Sequence, residues 1–159
     1  MRRLYWTLTS VLLYLLSACQ NDLPIELADS DYLIFGHFYG ECGGEACIEI
    51  FKLEQSRLLE DKNDQYPSAS GFYKGDYVAL TQTQFASVCD LIDSFPEALR
   101  KETKRVIGQP DAGDWGGLYI ELTYKGSRQF WLIDQAKRNV PTEYHSFIDK
   151  VNEKIKLLQ

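Results

Sequence analysis

Beyond residue 31 the chain switches between two hydrophobic periods, and each switch marks an element. Residues 32–39 (YLIFGHFY) are aromatic and branched, put Leu33, Phe35, His37 and Tyr39 on one face, and read as a strand. Residues 40–45 (GECGGE) read as a turn and residues 47–53 (CIEIFKL) as a second strand, antiparallel to the first because the connection is short. Gln55 and Ser56 turn the chain into another extended run at 57–61 (RLLED). Residues 62–70, with Asn63, Asp64, Pro67 and two serines, read as a loop; 71–76 are irregular, and 77–80 (YVAL) form a short strand. There the period lengthens. Thr81 and Gln84 fit a capping box, and Phe85, Val88, Cys89, Ile92 and Phe95 recur at helical spacing. Pro96 ends that helix and suits the first turn of a shorter one over 97–105. After a loop at 108–117 (GQPDAGDWGG), residues 118–125 (LYIELTYK) alternate cleanly. Leu118, Ile120, Leu122 and Tyr124 face one way; Tyr119, Glu121 and Thr123 face a side predicted to be solvated. Lys125-Gly126-Ser127 closes a hairpin with 128–134 (RQFWLID). A last helix runs over 141–158, its stripe made by Tyr144, Phe147, Ile148, Val151, Ile155 and Leu158.

These elements predict an α+β domain of two layers. An antiparallel sheet of about five or six strands carries the two main helices on one face. There is no internal repeat.

The N-terminus follows another pattern. Arg2 and Arg3 precede an apolar run at 4–16, and Leu16-Ser17-Ala18-Cys19 leads into the polar Gln20-Asn21-Asp22. The run is too short to span a bilayer, and a basic start, a short apolar stretch and small residues before a cut site make a secretory signal peptide. Leu16-Ser17-Ala18-Cys19 resembles the lipobox of bacterial lipoproteins at all four positions. The resemblance implies a lipid on the sulfur of Cys19, cleavage before it and acylation of the new amine. It implies a membrane anchor in the cell envelope, and Gln20 after the cysteine implies passage to the outer membrane by the sorting rule of some bacteria. The predicted organisation is a signal peptide over 1–18, a flexible tether over 19–30 containing Pro24, and a single domain over 31–159.

Charge and cysteines sharpen this picture. The chain has 17 basic and 23 acidic side chains, net −6; the leader would remove two basic ones and no acid, leaving −8. An acidic body argues against nucleic acid and against electrostatic binding to anionic lipid, so acyl chains must hold the membrane. With Cys19 lipidated, Cys42, Cys47 and Cys89 remain in a setting that permits disulfides. Three cysteines make one internal bridge. Gly43 and Gly44 let the chain fold back between Cys42 and Cys47, which makes that the expected pair and leaves Cys89 as a buried thiol.

The order of parts from 32 to 158 resembles an uncharacterised family of bacterial envelope domains. Members carry a Gly-Cys-x-Gly-x-Cys-Pro motif between two early strands, then a hairpin, a helix, a second hairpin and a C-terminal helix. The matching stretch is Glu41-Cys42-Gly43-Gly44-Glu45-Ala46-Cys47-Ile48, with one extra residue between the cysteines and Ile48 in place of the proline. The resemblance implies a fold and no activity.

No catalytic or metal-binding constellation stands out. The Cys42–Cys47 spacing is wrong for a thioredoxin-type pair, His37 and the cysteines match no zinc pattern, and no Gly-x-Ser-x-Gly elbow is present. Asp111-Ala112-Gly113-Asp114 lacks the acids of a calcium loop and reads as a solvated turn. Trp115, between Asp114 and two glycines, reads either as an anchor for a protein or glycan partner or as a lid folded on the core. Tyr66, Phe72 and Tyr73 make the other long loop a candidate ligand-binding segment. The expectation is a lipid-anchored binding or structural module, without catalysis, cofactor or metal. The alternatives are a thiol-dependent redox enzyme using Cys42, Cys47 or Cys89, and a carbohydrate- or peptide-binding lipoprotein using Trp115 and the loop over 66–77.

Overall fold

The computed structural model describes Ile25 and residues 27–159; the predicted signal peptide and Cys19 lie outside the described residues. Seven strands form one sheet: β1 (Tyr32–Phe38), β2 (Ile48–Leu53), β3 (Leu58–Asp61), β4 (Tyr77–Ala79), β5 (Val106–Ile107), β6 (Gly117–Tyr124) and β7 (Ser127–Asp134). Their order across the sheet is β4-β3-β2-β1-β6-β7-β5. Every pairing is antiparallel except β5 with β7, where Val106 and Ile107 run parallel beside Leu132 and Ile133. The helical elements are α1 (Gln82–Val88), which tightens into a 3-10 segment (Cys89–Ser94), α2 (Glu97–Arg100) and α3 (His145–Leu158). The domain is α+β.

Register sorts the strand residues into two faces. Phe51, Phe35, Ile120 and Trp131 lie in one row across β2, β1, β6 and β7, and Leu53, Leu33 and Leu122 lie in the next. This face packs against Val88, Leu91, Ile92 and Phe95 and against Phe147, Ile148, Val151 and Ile155 of α3. Thr81 starts α1 as expected: its hydroxyl accepts from Gln84 N, and Gln84 Oε1 accepts from Thr81 N at 3.1 Å.

Three expectations need correction. The helix foreseen over 97–105 stops at Arg100, and the chain then forms β5, a strand too short to show any period of its own. Ile25 and Leu27 are buried in the main core, so the ordered domain begins before residue 31. Asp31 fixes this entry by accepting from Ala28 N and from Lys125 N at 3.0 Å. The face carrying Tyr119 and Glu121 is covered rather than solvated: both residues are fully buried. Residues 62–76 fold back over it. Glycine is required at Gly36 on that face, because a Cβ there would stand 2.1 Å from Glu49 O of the neighbouring strand. No helix of the described residues is long and apolar enough to cross a membrane.

Candidate functional site

The loop over 62–76 is seated ring by ring. Three sheet residues on the covered face each receive one aromatic from it: Phe38 meets Tyr66 at 5.0 Å between centroids, Tyr119 meets Tyr73 at 5.5 Å, and Phe130 meets Phe72 at 5.2 Å. Beneath these rings a hydrogen-bond network joins Asp61, Tyr73, Tyr119 and Glu121. Tyr73 donates its hydroxyl to Asp61 at 2.5 Å and its backbone N–H to Tyr119 Oη at 2.9 Å; Tyr119 in turn donates to Glu121 at 2.5 Å. Glu121 also accepts from Tyr32 Oη at 3.1 Å and from Arg128 Nε at 2.7 Å. Burial and the adjoining carboxylates push the Tyr73 and Tyr119 hydroxyls well above their ordinary range. Burial alone would lower the Arg128 guanidinium, but the bond and the charge of Glu121 hold it above its usual value. Tyr77 lies at the margin of this network. Its buried hydroxyl has no hydrogen-bond partner among the described residues, and burial together with the charges of Asp61 and Glu121 raises it strongly.

The four aromatic candidates thus have three different placements. Tyr73 is 8% exposed and serves the network. Phe72 is 37% exposed and lies under Arg128, whose guanidinium carbon stands 4.0 Å from the ring centre. Tyr66 and Trp115 are the most exposed, and the loops that carry them meet at Asp111. The Asp111 carboxylate accepts from Gly40 N and Tyr66 Oη, both at 2.8 Å, and from Gly116 N at 3.1 Å. Three donors from three segments occupy its oxygens, which makes this aspartate a hub between loops. Burial and the bond to Asp111 push the Tyr66 hydroxyl up to about 12.

Trp115 is 57% exposed and does not fold on the core. Its loop is tightly wound: Asp111, Gly113, Asp114 and Gly116 all have positive φ. Gly116 leaves room for the Tyr39 ring, which would lie 2.2 Å from a Cβ placed there. The guanidinium of Arg138 sits 5.4 Å from the Trp115 ring centre. The indole is therefore presented by a fixed loop and flanked by a cation, while most of it faces solvent.

At the same end of the sheet Cys42 and Cys47 form the expected disulfide, with Cα atoms 5.7 Å apart. The bridge closes the turn between β1 and β2, and Tyr39 N donates to Cys47 O across its base. His37, 8% exposed, donates from Nε2 to Ala46 O at 3.1 Å in the same turn; burial draws its pKa below the ordinary value, with that bond opposing. Cys89 is buried as foreseen but is not a thiol. It is disulfide-bonded. His145 donates from Nε2 to the carbonyls of Lys137 and Val140 and joins no polar cluster. Among the described residues no group of three or more His, Cys, Asp or Glu side chains could hold a metal ion.

Asp61, Glu121 and Asp111 organise these surfaces, and sequence reasoning missed all three roles. The only available signal was an acid at the centre of the alternating strand 118–125, on a face with aromatic neighbours. No protein-family model and no curated protein sequence matches the chain.

Proposed function

We propose that this chain is a lipid-anchored protein of the bacterial envelope, held in the outer membrane through Cys19. Its domain acts as a non-catalytic binding module for a protein or glycan. The single observation that supports the binding role is the presentation of Trp115: a large aromatic 57% exposed on a loop fixed by Asp111, beside the half-exposed Tyr66. An indole held open to solvent is available to stack on a sugar ring or to fill a partner's pocket without first reordering. The anchor rests on Leu16-Ser17-Ala18-Cys19.

Two experiments test the two halves. Cys19→Ala should abolish metabolic lipid labelling and leave the precursor uncleaved. Retained label, or a disulfide-linked peptide containing Cys19 in the mature protein, would overturn the anchor, because a sulfur bound to a lipid cannot also form a disulfide. For the module, Trp115 emission is titrated against oligosaccharides and peptides from the envelope, with Trp115→Ala supplying the background of the buried Trp131. A saturable change that disappears in Trp115→Ala supports the reading; binding that survives the substitution removes Trp115 from it.

A further inference from the structure

The covered face of the sheet ends in an alternation of cations and rings. Arg128 lies 4.0 Å from the centre of Phe72, Phe72 meets Phe130 edge-on at 5.2 Å, and Arg105 lies 4.9 Å from the centre of Phe130. Arg128 is pre-set on two sides. Its Nε is bonded at 2.7 Å to Glu121, which has no exposed surface, and its flat guanidinium rests on Phe72. Its Nη1 and Nη2 make no hydrogen bond to a described residue, and the side chain is 41% exposed. Arg105 is exposed and forms no ion pair among the described residues; the one hydrogen bond of its side chain to them is a long contact, 3.5 Å, from Nη1 to Ala69 O. The chain as a whole is acidic, at net −6, yet this edge presents two guanidinium groups, one on the half-exposed Phe72 and the other on the buried Phe130 that Phe72 meets.

We propose that Arg128 and Arg105, linked through the paired rings of Phe72 and Phe130, bind a ligand bearing two oxyanion groups, carboxylate or phosphate. Arg128 takes one oxyanion in the two-point fashion that a planar guanidinium allows, using the donors that Glu121 leaves vacant. Arg105 takes the second, and the ligand's body lies over the exposed edge of Phe72. The fixed rotamer of Arg128 means that little side-chain freedom is lost on binding. This rests on the binding-module reading only in treating the domain as non-catalytic. It uses no residue of the Trp115 surface, so either can fail without the other.

The test is calorimetric titration of the full-length protein in detergent at physiological salt, with pyrophosphate and citrate as probes. The Nε–H signals of both arginines are followed by NMR. One saturable site is expected, and whichever probe binds more tightly distinguishes phosphate from carboxylate. Arg105→Gln leaves the Arg128–Glu121 pair in place and should weaken binding at least tenfold, on the order of one lost charged hydrogen bond, with the melting temperature unchanged. Arg128→Lys keeps the charge beside Glu121 but loses the planar fork and should weaken binding similarly. If Arg128→Lys does not fold, Arg105→Gln decides alone. Affinity no better than for chloride, or wild-type affinity in Arg105→Gln, overturns the proposal.

Discussion

Asp111 shows how much one side chain can organise when its backbone is held at φ +62°, a region that asparagine also tolerates. Asp111→Asn therefore changes charge and acceptor count with little change in backbone strain. One arm of the side chain becomes a donor and, whichever way the amide is turned, faces a backbone N–H, of Gly40 or of Gly116, that cannot accept from it. The variant should lose about 1–2 kcal/mol in urea denaturation, the scale of one or two net hydrogen bonds. The Tyr66 hydroxyl, held at about 12, should then titrate closer to the ordinary tyrosine value. Phenolate absorbance against pH checks this, with Tyr66→Phe identifying the residue. An unchanged Tyr66 titration would mean that burial alone sets its value. No local pattern could have revealed this hub, because two of its three partners lie 71 and 45 residues away.

At the scale of elements, legibility depended on whether an element carries its own period or borrows a partner. β6 alternates along its length, β7 follows it across the turn at Lys125-Gly126-Ser127, α3 has a continuous stripe, and α1 has a capping box, so all four could be read directly. β5 has two residues and exists only because β7 offers an edge. The loop over 62–76 looked irregular because it has no period, and it is nevertheless fixed by Phe38, Tyr119 and Phe130. The turn between β1 and β2 was readable from its glycines and cysteines, and its bridge carries a prediction. The closed loop is short, so chain entropy gives the disulfide only about 2 kcal/mol. Cys42→Ser with Cys47→Ser should lower stability by about that amount and leave the far-ultraviolet spectrum native. Non-reducing peptide mapping should recover Cys42 and Cys47 in one linked peptide. Global unfolding of the double variant would mean that the turn, and not the sheet, holds β1 and β2 together.

Across the whole molecule, acid tests the fold in two stages. His37 is depressed in the folded state, so the unfolded chain takes up that proton at a higher pH. Stability from this group is complete above about pH 7, near the free histidine value, and declines as pH falls through that value toward the folded one. Carboxylates come next. Burial would raise Asp90, but Lys154 and Lys150 outweigh it and hold it low; its contribution is present above about pH 4 and lost as pH falls below that. Replacing His37 with leucine should flatten the dependence of the urea midpoint on pH just below the free histidine value, leaving the steeper acid limb in place. An unaltered slope in that window would assign it to another group.

The burial of Ile25 and Leu27 limits how far the protein can reach. Only six peptide links separate Cys19 from Ile25, and a chain extends at most about 3.5 Å per residue, so a lipid on Cys19 would moor the core within about 20 Å of the bilayer. On so short a leash the domain could not patrol the space between two membranes. Its encounters would be with whatever comes to the lipid surface, and lengthening the leash with inserted glycine and serine would be the way to extend its range.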